Sequence, residues 1–303
     1  MNRGPILFIG AFLALASSWF GLVLRPQIEV GQLQQTNTVG SAETYPVARP
    51  GLANQGLQVY RANGCVHCHS QCVRQSGVTF DVVLANLGTN QAEVVAVIEK
   101  LRPDFNVVYA RKLVEGKVRD VLHGVTKAEA DAAQKALEAG GARAQIQLVA
   151  LGPDIARGWG NRRSVAADYL FDYPVQLGSQ RIGPDLANIG LRPRTDDWHL
   201  LHFYDPRTVV EGSTMPPHRY LFEKRKVADV PSPDALKLPA QFALPSGWEI
   251  VPKPEAMALV AYLNSLKADA PLFEAPAPLP SATTQPSAVV NATSTSNTNP
   301  PAK

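Results

Sequence analysis

Five residues constrain this chain more than any others: Cys65-Val66-His67-Cys68-His69. The C-x-x-C-H spacing is the attachment signature of c-type haem. Two cysteines three apart near the start of a helix reach the two vinyl groups of one porphyrin, and the following histidine sets its imidazole beneath the iron. Two other readings compete for the same residues. A dithiol redox pair does not need the histidine, and half a zinc site needs a second ligand pair. No second C-x-x-C occurs, and three cysteines in all cannot make a disulfide framework.

A haem iron held by His69 needs a sixth ligand or an open site. Methionine suits electron transfer, because its soft thioether favours ferrous iron and raises the potential. Of the three methionines, Met1 is the initiator, and Met257 lies at helical spacing in Pro254–Leu263, which reads as core. Met215 remains, in Gly212-Ser-Thr-Met-Pro-Pro217, a loop stiffened by two prolines. His218, His199 and His202 are its competitors. At i, i+3 the last two share a helix face, which reads as a wet or interfacial pair.

From Gly4 to Leu24 no charged residue appears, a run of the roughly 20 residues that a helix needs to cross a bilayer. Arg3 and Arg25 flank it and orient it only weakly, with the amino terminus inside. Ala14-Leu15-Ala16 offers a small-x-small cleavage site, so a signal peptide is the alternative; the apolar run continues through Trp19 to Leu24, which favours a retained anchor. Either way the remainder is exported. From Pro271 to Lys303 the chain is nearly all Pro, Ala, Ser, Thr and Asn, a composition expected to be disordered. Over 303 residues the charge is only +3, too small to argue for a nucleic-acid surface. A mean hydropathy of −0.08 excludes a polytopic membrane protein.

Several blocks carry a family resemblance. Gly56, Tyr60 and Cys65, the loop Arg181-Ile-Gly-Pro-Asp-Leu186, and Leu259, Tyr262 and Leu263 resemble class I cytochromes c. The resemblance implies that Pro184 presents its carbonyl to His69, and that an aromatic of the last helix packs over a glycine of the first. The ordered string Asn63-Gly-Cys-Val-His-Cys-His-Ser-Gln-Cys-Val-Arg74, Arg181–Gly190, Asp197-Trp-His, Asp205-Pro-Arg and Gly212–Pro217 resembles the mono-haem subunit, the second subunit, of cbb3-type cytochrome c oxidases. One anchor helix followed by one haem domain is also that subunit's plan. Cys72 departs from the pattern and reads as a small buried apolar residue.

This resemblance implies one covalent haem c, attached at Cys65 and Cys68, with iron between His69 and Met215. Arg181 and Arg207 are candidates to neutralise its propionates. It also implies a single-pass protein of the bacterial inner membrane with its haem domain in the periplasm. Electrons would arrive from a di-haem cytochrome c subunit or a small cytochrome and leave for the catalytic haem-copper subunit, where oxygen is reduced; this chain has no oxygen-reduction site and no small-molecule substrate. A free-standing membrane cytochrome serving another reductase, a haem-based ligand sensor with an open sixth position, and a dithiol oxidoreductase are the alternatives.

About 146 residues separate Cys68 from Met215, roughly twice what one such haem domain requires. Within them Phe80–Leu84 reads as a strand, and Val94, Val97, Ile98 and Leu101 as one face of a helix. Thr126-Lys-Ala-Glu129 is a capping box opening a helix that Gly140-Gly141 stops, and Ala142 to Leu148 alternates as a half-buried strand. This β-α-α-β-α-β order, with FDVVL, AVIEKL, ARKLVEG and GVTKAEADAAQKALEAGGARAQI, resembles the C-terminal domain of the ribosomal large-subunit stalk protein. Phe105-Asn-Val-Val-Tyr109 replaces that family's glycine-leucine loop, and an exported copy would meet no translation factor. The fold transfers; the activity does not. Nine basic and nine acidic residues over Phe80–Gln147 suggest no charge-based partner, leaving a folded spacer or a docking module.

The expected fold is mainly α: an N-terminal transmembrane helix (1–27) and a class I cytochrome c fold in two parts (28–76 and 151–270). A small α+β domain (77–150) interrupts it, and a disordered tail (271–303) follows.

Overall fold

The computed structural model describes residues 3–102, 106–116 and 119–276. Phe105 and residues 277–303 of the expected tail lie outside these. The chain opens with α1 (Gly4–Trp19), which passes through a single π turn at Phe20–Leu24 into α2 (Arg25–Gly31). Together they form one apolar helix of 28 residues, long enough to cross a membrane, about 42 Å at 1.5 Å per residue. The π turn has a local cause. Pro26 has no N–H to give the carbonyl of Leu22, and its ring crowds that carbonyl; just before it the Arg25 N–H reaches back to Phe20. None of these residues is buried.

A short antiparallel pair, β1 (Thr36–Asn37) and β2 (Thr44–Tyr45), leads to α3 (Gly51–Ala62). Ala53, Gly56, Leu57 and Tyr60 recur at i, i+3, i+4, i+7 and are buried. After α3 the chain makes a tight turn at Cys65–His67, entered through Gly64 at φ +66°.

From Gly77 to Leu151 a second core forms. β3 (Gly77–Asn86), α4 (Gln91–Leu101), α5 (Val107–Val114), β4 (Asp120–Val125), α6 (Lys127–Ala139) and β5 (Arg143–Leu151) follow in that order. The antiparallel sheet runs β4-β3-β5. β3 and β5 pair from Gly77↔Leu151 through Val82↔Ile146 to Asn86↔Arg143, so the chain leaves and re-enters side by side. Val82, Leu84 and Ala144 on the sheet close over Val94, Ile98, Ala130, Ala133 and Leu137 on the helices. The capping box at the start of α6 is formed. The Glu129 N–H donates to Thr126 Oγ1 at 3.3 Å, and the Thr126 N–H donates to the Glu129 carboxylate at 2.8 Å. Both flanking strands extend beyond the alternation read from sequence.

The remaining elements return to the first core: α7 (Pro153–Ala156), α8 (Asp196–Tyr204), the hairpin of β6 (Phe222–Lys226) and β7 (Trp248–Pro252), and α9 (Pro254–Ser265). α9 crosses α3 where Gly56 lets the backbones touch; a Cβ there would lie 1.9 Å from the Ala258 carbonyl oxygen and 2.7 Å from Cβ of Tyr262. Tyr60 and Tyr262 pack beside this crossing with ring centres 5.2 Å apart. The described fold therefore mixes helices with three small sheets, and β1-β2 and β6-β7 were not legible as strands.

Three expectations are corrected. Met257 does not fill the core: it lies on the outer side of α9 at 40% exposure, because Ala256, Leu259, Val260 and Leu263 occupy the inner face. His199 and His202 are not a wet pair. His199 is 2% exposed and His202 half-buried, since α8 lies with this face inward. The first residues of the expected disordered tail are ordered, because Leu272 and Ala275 are buried against Tyr45, Val165 and Ala167.

Candidate haem-binding site

Two adjoining lobes of about 520 and 70 Å³ open between the Cys65–His69 turn, the Gly183-Pro184 loop, α8 and the Met215 loop. Both are walled by His69, Pro184, Ile189, Trp198, His202 and Met215; Cys65 faces the smaller and Cys68 the larger. The larger lies within the range of about 300–1,000 Å³ usual for ligand and cofactor sites. All three cysteines are free thiols. Burial pushes the Cys65 thiol up to about 11, so it stays protonated.

The turn that presents these residues is fastened from beneath by buried carboxylates. Asp185, fully buried, accepts from Ser70 Oγ at 2.6 Å and from the Cys72 and Ala187 N–H groups at 2.7 and 2.9 Å. Asp154 accepts from the Arg74 N–H at 2.8 Å and from Arg181 at 2.7 Å. A buried charge persists only when paired and hydrogen-bonded, and these pairings tie the segment after Cys68 to the loops on either side of Pro184. A third carboxylate, Asp168, takes both the fully buried Arg162, at 2.7 and 3.1 Å, and the Tyr45 hydroxyl at 2.8 Å.

His69 Nδ1 lies 2.8 Å from the Pro184 carbonyl oxygen, which makes Nδ1 the protonated nitrogen and leaves Nε2 with its lone pair. Gly183 lies against the ring; a Cβ there would be 2.2 Å from Cε1. Burial lowers the His69 pKa, partly offset by that carbonyl, so the imidazole is neutral and able to ligate. Met215 reaches the cavity from a loop that leaves Gly212 at φ +69° and is pinned to α8 by the His218 N–H donating to the Phe203 carbonyl at 2.8 Å. Cys72 is half-buried, its N–H on Asp185 and its carbonyl accepting from Arg181.

The histidines named as competitors divide. His202 lines both lobes, while His199 lines only the smaller. Burial, then His69, His199 and His218, push His202 down to about 4; burial also lowers His199 and His218. Nδ1 of His202 and of His218 and Nε2 of His199 are buried without a hydrogen-bond partner. Among the described residues no group of three or more His, Cys, Asp or Glu could hold a bare metal ion.

Neither arginine named from sequence lines the cavity. Arg181 is taken by Asp154 and the Cys72 carbonyl, and Arg207 by Asp205 at 2.9 and 3.0 Å. The arginines on the wall of the larger lobe are Arg157, Arg192 and Arg194. Among the described residues neither Arg192 nor Arg194 has a carboxylate partner; Arg192 Nη2 donates to the Asp185 carbonyl, while its Nε is buried without a partner. Trp198 joins them: Arg194 lies 4.7 Å over its ring, and His202 stacks on it at 4.8 Å and 11°. The sequence signal for this wall was Arg192-Pro-Arg194 just ahead of Trp198, two cations with no acid between them.

The residues fit a haem. Two thiols, a neutral oriented imidazole, a thioether and two guanidinium groups without a carboxylate partner converge on one cavity, and it carries buried nitrogens without partners.

Comparison with known proteins finds two family matches. Residues 151–250 match the family described as cytochrome C oxidase, mono-heme subunit/FixO, and residues 80–147 match the ribosomal protein L7/L12 C-terminal domain. These are the two components that the sequence resemblance implied. Over 68 residues, 22% of this chain, it is 37% identical to large ribosomal subunit protein bL12 of Akkermansia muciniphila, 38% to that of Methylobacillus flagellatus and 40% to that of an Anaeromyxobacter species. Those alignments cover 55%, 52% and 54% of the respective relatives, so the chain spans about half the length of the curated relatives it matches.

Proposed function

We propose that this chain is a membrane-anchored mono-haem c-type cytochrome of class I fold, working as the electron-transfer subunit of a cbb3-type terminal oxidase. One observation carries the reading: the histidine of a C-x-x-C-H turn has Nδ1 on the Pro184 carbonyl and shares its cavity with Met215. The match of residues 151–250 to the oxidase mono-heme subunit family supports the assignment to an oxidase.

When bound, the haem supplies an iron that cycles between ferric and ferrous states. The chain supplies everything else. Cys65 and Cys68 would hold the porphyrin covalently. His69 Nε2 would ligate the iron, its basicity raised by the Nδ1–H donated to Pro184. The Met215 thioether would be the second ligand, a soft donor that favours the ferrous state. Arg192 and Arg194, rather than Arg181 and Arg207, would balance the propionates. Buried apolar walls at Leu186, Ile189, Leu259 and Leu263 exclude water and keep the change of charge at iron from reorganising solvent.

The helix Gly4–Gly31 would hold the molecule in the bacterial inner membrane with the haem domain on the periplasmic side. Electrons would come from a di-haem cytochrome c subunit and pass to the catalytic haem-copper subunit. The segment Gly77–Leu151 has the fold of a ribosomal stalk domain without its function and acts as a folded spacer.

Haem staining of a denaturing gel tests the core of this. The expected result is a signal at the size of the chain that disappears in Cys65→Ser plus Cys68→Ser. A colourless chain whose cysteines all alkylate would overturn it. In Met215→Leu the ferric thioether-to-iron charge-transfer band should vanish while the covalent haem remains.

A further inference from the structure

Between Phe171 and Leu177 the usual pattern of a folded chain is inverted. Asp172 and Gln176 are buried, while Phe171, Tyr173, Val175 and Leu177 face solvent at 44, 95, 44 and 47% exposure. Polar side chains point in because they have partners there. Asp172 takes the Arg49 guanidinium, and Gln176 Nε2 donates to the Pro174 carbonyl at 2.7 Å. The apolar side chains are therefore held outward by an ion pair and do not turn inward. Ile182, 63% exposed, lies in the loop that follows. Single exposed apolar residues need no explanation, but four at alternate positions of one pinned segment point to an interaction surface.

Its position is specific. The Gln71 N–H donates to the Leu177 carbonyl at 2.9 Å, the Ser179 N–H to Val66 at 3.2 Å and the Gly183 N–H to Cys68 at 3.0 Å. Gly178 lies so close that a Cβ would be 2.5 Å from the His69 carbonyl oxygen. The row is thus bonded directly to the Cys65–His69 turn. Its charge is equally specific. From Ser164 to Gln180 there is no lysine or arginine, and the two acids there, Asp168 and Asp172, are both buried and paired. A lipid surface is recognised through free flanking basic residues; the two arginines that bound this stretch are engaged elsewhere, Arg163 by the Glu274 carbonyl and Arg181 by Asp154. Its complement is another uncharged apolar surface.

We infer that Phe171, Tyr173, Val175 and Leu177 form the face on which a partner redox protein docks, through an apolar patch without surface charge, and across which electrons are exchanged with the haem held at His69. The inference rests on the haem reading above and names the partner's chemistry for that same site.

Full-length protein in its own membranes tests it. A photo-crosslinking p-benzoylphenylalanine in place of Tyr173 should give an adduct with a second, haem-bearing protein; the same group in place of Val230, 75% exposed and far along the chain, should give none. Adducts to lipid, adducts only to a second copy of this chain, or no adduct would each overturn the proposal. Tyr173→Asp with Val175→Asp should keep full haem on a denaturing gel yet slow electron exchange with the membrane at least tenfold; an unchanged rate would overturn it as well. A wild-type chain without haem overturns the functional reading, whereas a haem-bearing chain with no Tyr173 adduct overturns only the docking face.

Discussion

Gly183→Ala isolates the contact on which the proximal imidazole depends. Gly183 has no left-handed φ and precedes a proline, where an extended backbone suits alanine well, so the main chain does not resist the change. The added Cβ would lie 2.2 Å from His69 Cε1 and 2.7 Å from Nδ1, against an ordinary contact distance of 3.4 Å. The ring must therefore retreat by about 1.2 Å, the difference between 3.4 and 2.2 Å. A shift of that size takes the 2.8 Å contact between Nδ1 and the Pro184 oxygen beyond the limit of a hydrogen bond, about 3.2 Å for N–H···O. Two costs follow. Stability falls by the net worth of one hydrogen bond, about 0.5–1.5 kcal/mol. Losing the orienting partner weakens iron ligation roughly 10- to 100-fold. On the proposed function haem would stay attached through Cys65 and Cys68, so the assay is the ferric spectrum: a large high-spin fraction should appear where the parent is low-spin. Gly77→Ala, which meets nothing within 4 Å, is the control. If both variants kept the parent spectrum, the argument from the Gly183 contact would be refuted.

Other outcomes follow from the same structure. Gly56→Ala drives a methyl into the Ala258 backbone and should cost at least about 3 kcal/mol by chemical denaturation, the upper end for overpacking, since α3 and α9 must separate. Asp168→Ala strands the fully buried Arg162 and the Tyr45 hydroxyl, and loss of one partner of a buried pair should cost about 3–5 kcal/mol. Thr126→Ala should lower the stability of the Gly77–Leu151 unit by about 1 kcal/mol without altering the haem spectrum. The Thr126 N–H and hydroxyl hold the Glu129 carboxyl below its ordinary value of 4.5. Its contribution is therefore present above that value and lost as pH falls through the lowered one; circular dichroism of the unit on acidification should show this dependence in the parent, a weaker one in Thr126→Ala, which keeps the backbone N–H, and none in Glu129→Gln.

What was legible in the sequence was what is local. Cys65, Cys68 and His69 lie within one turn, Thr126 and Glu129 within another, Phe80 to Leu84 is a short apolar run, and Ala142 to Leu148 alternates at the period of a strand. What was missed needed distant partners. Arg181 looked free to meet a propionate because nothing nearby claims it, yet Asp154, 27 residues earlier, takes it. Arg192 and Arg194 lack any such acid and so remain available to the cavity. Met257 fits a helical apolar pattern, but only the packing of α9 on α3 decides which side faces in. Leu272 and Ala275 stand in a segment of low-complexity composition, and their order comes from Tyr45, more than 200 residues away.

Because β3 and β5 run hand in hand, the polypeptide rejoins itself close to where it departed. His69 and Pro184 are 115 positions apart, but once that ladder zips, the effective detour between them shrinks to about 40 residues, lowering the entropic cost of bringing them together by roughly 1 kcal/mol. On the proposed function, closure of the cavity around His69 is thereby made contingent on a neighbour that lines no part of it, and damage to the Gly77–Leu151 unit would register first as sluggish uptake of haem.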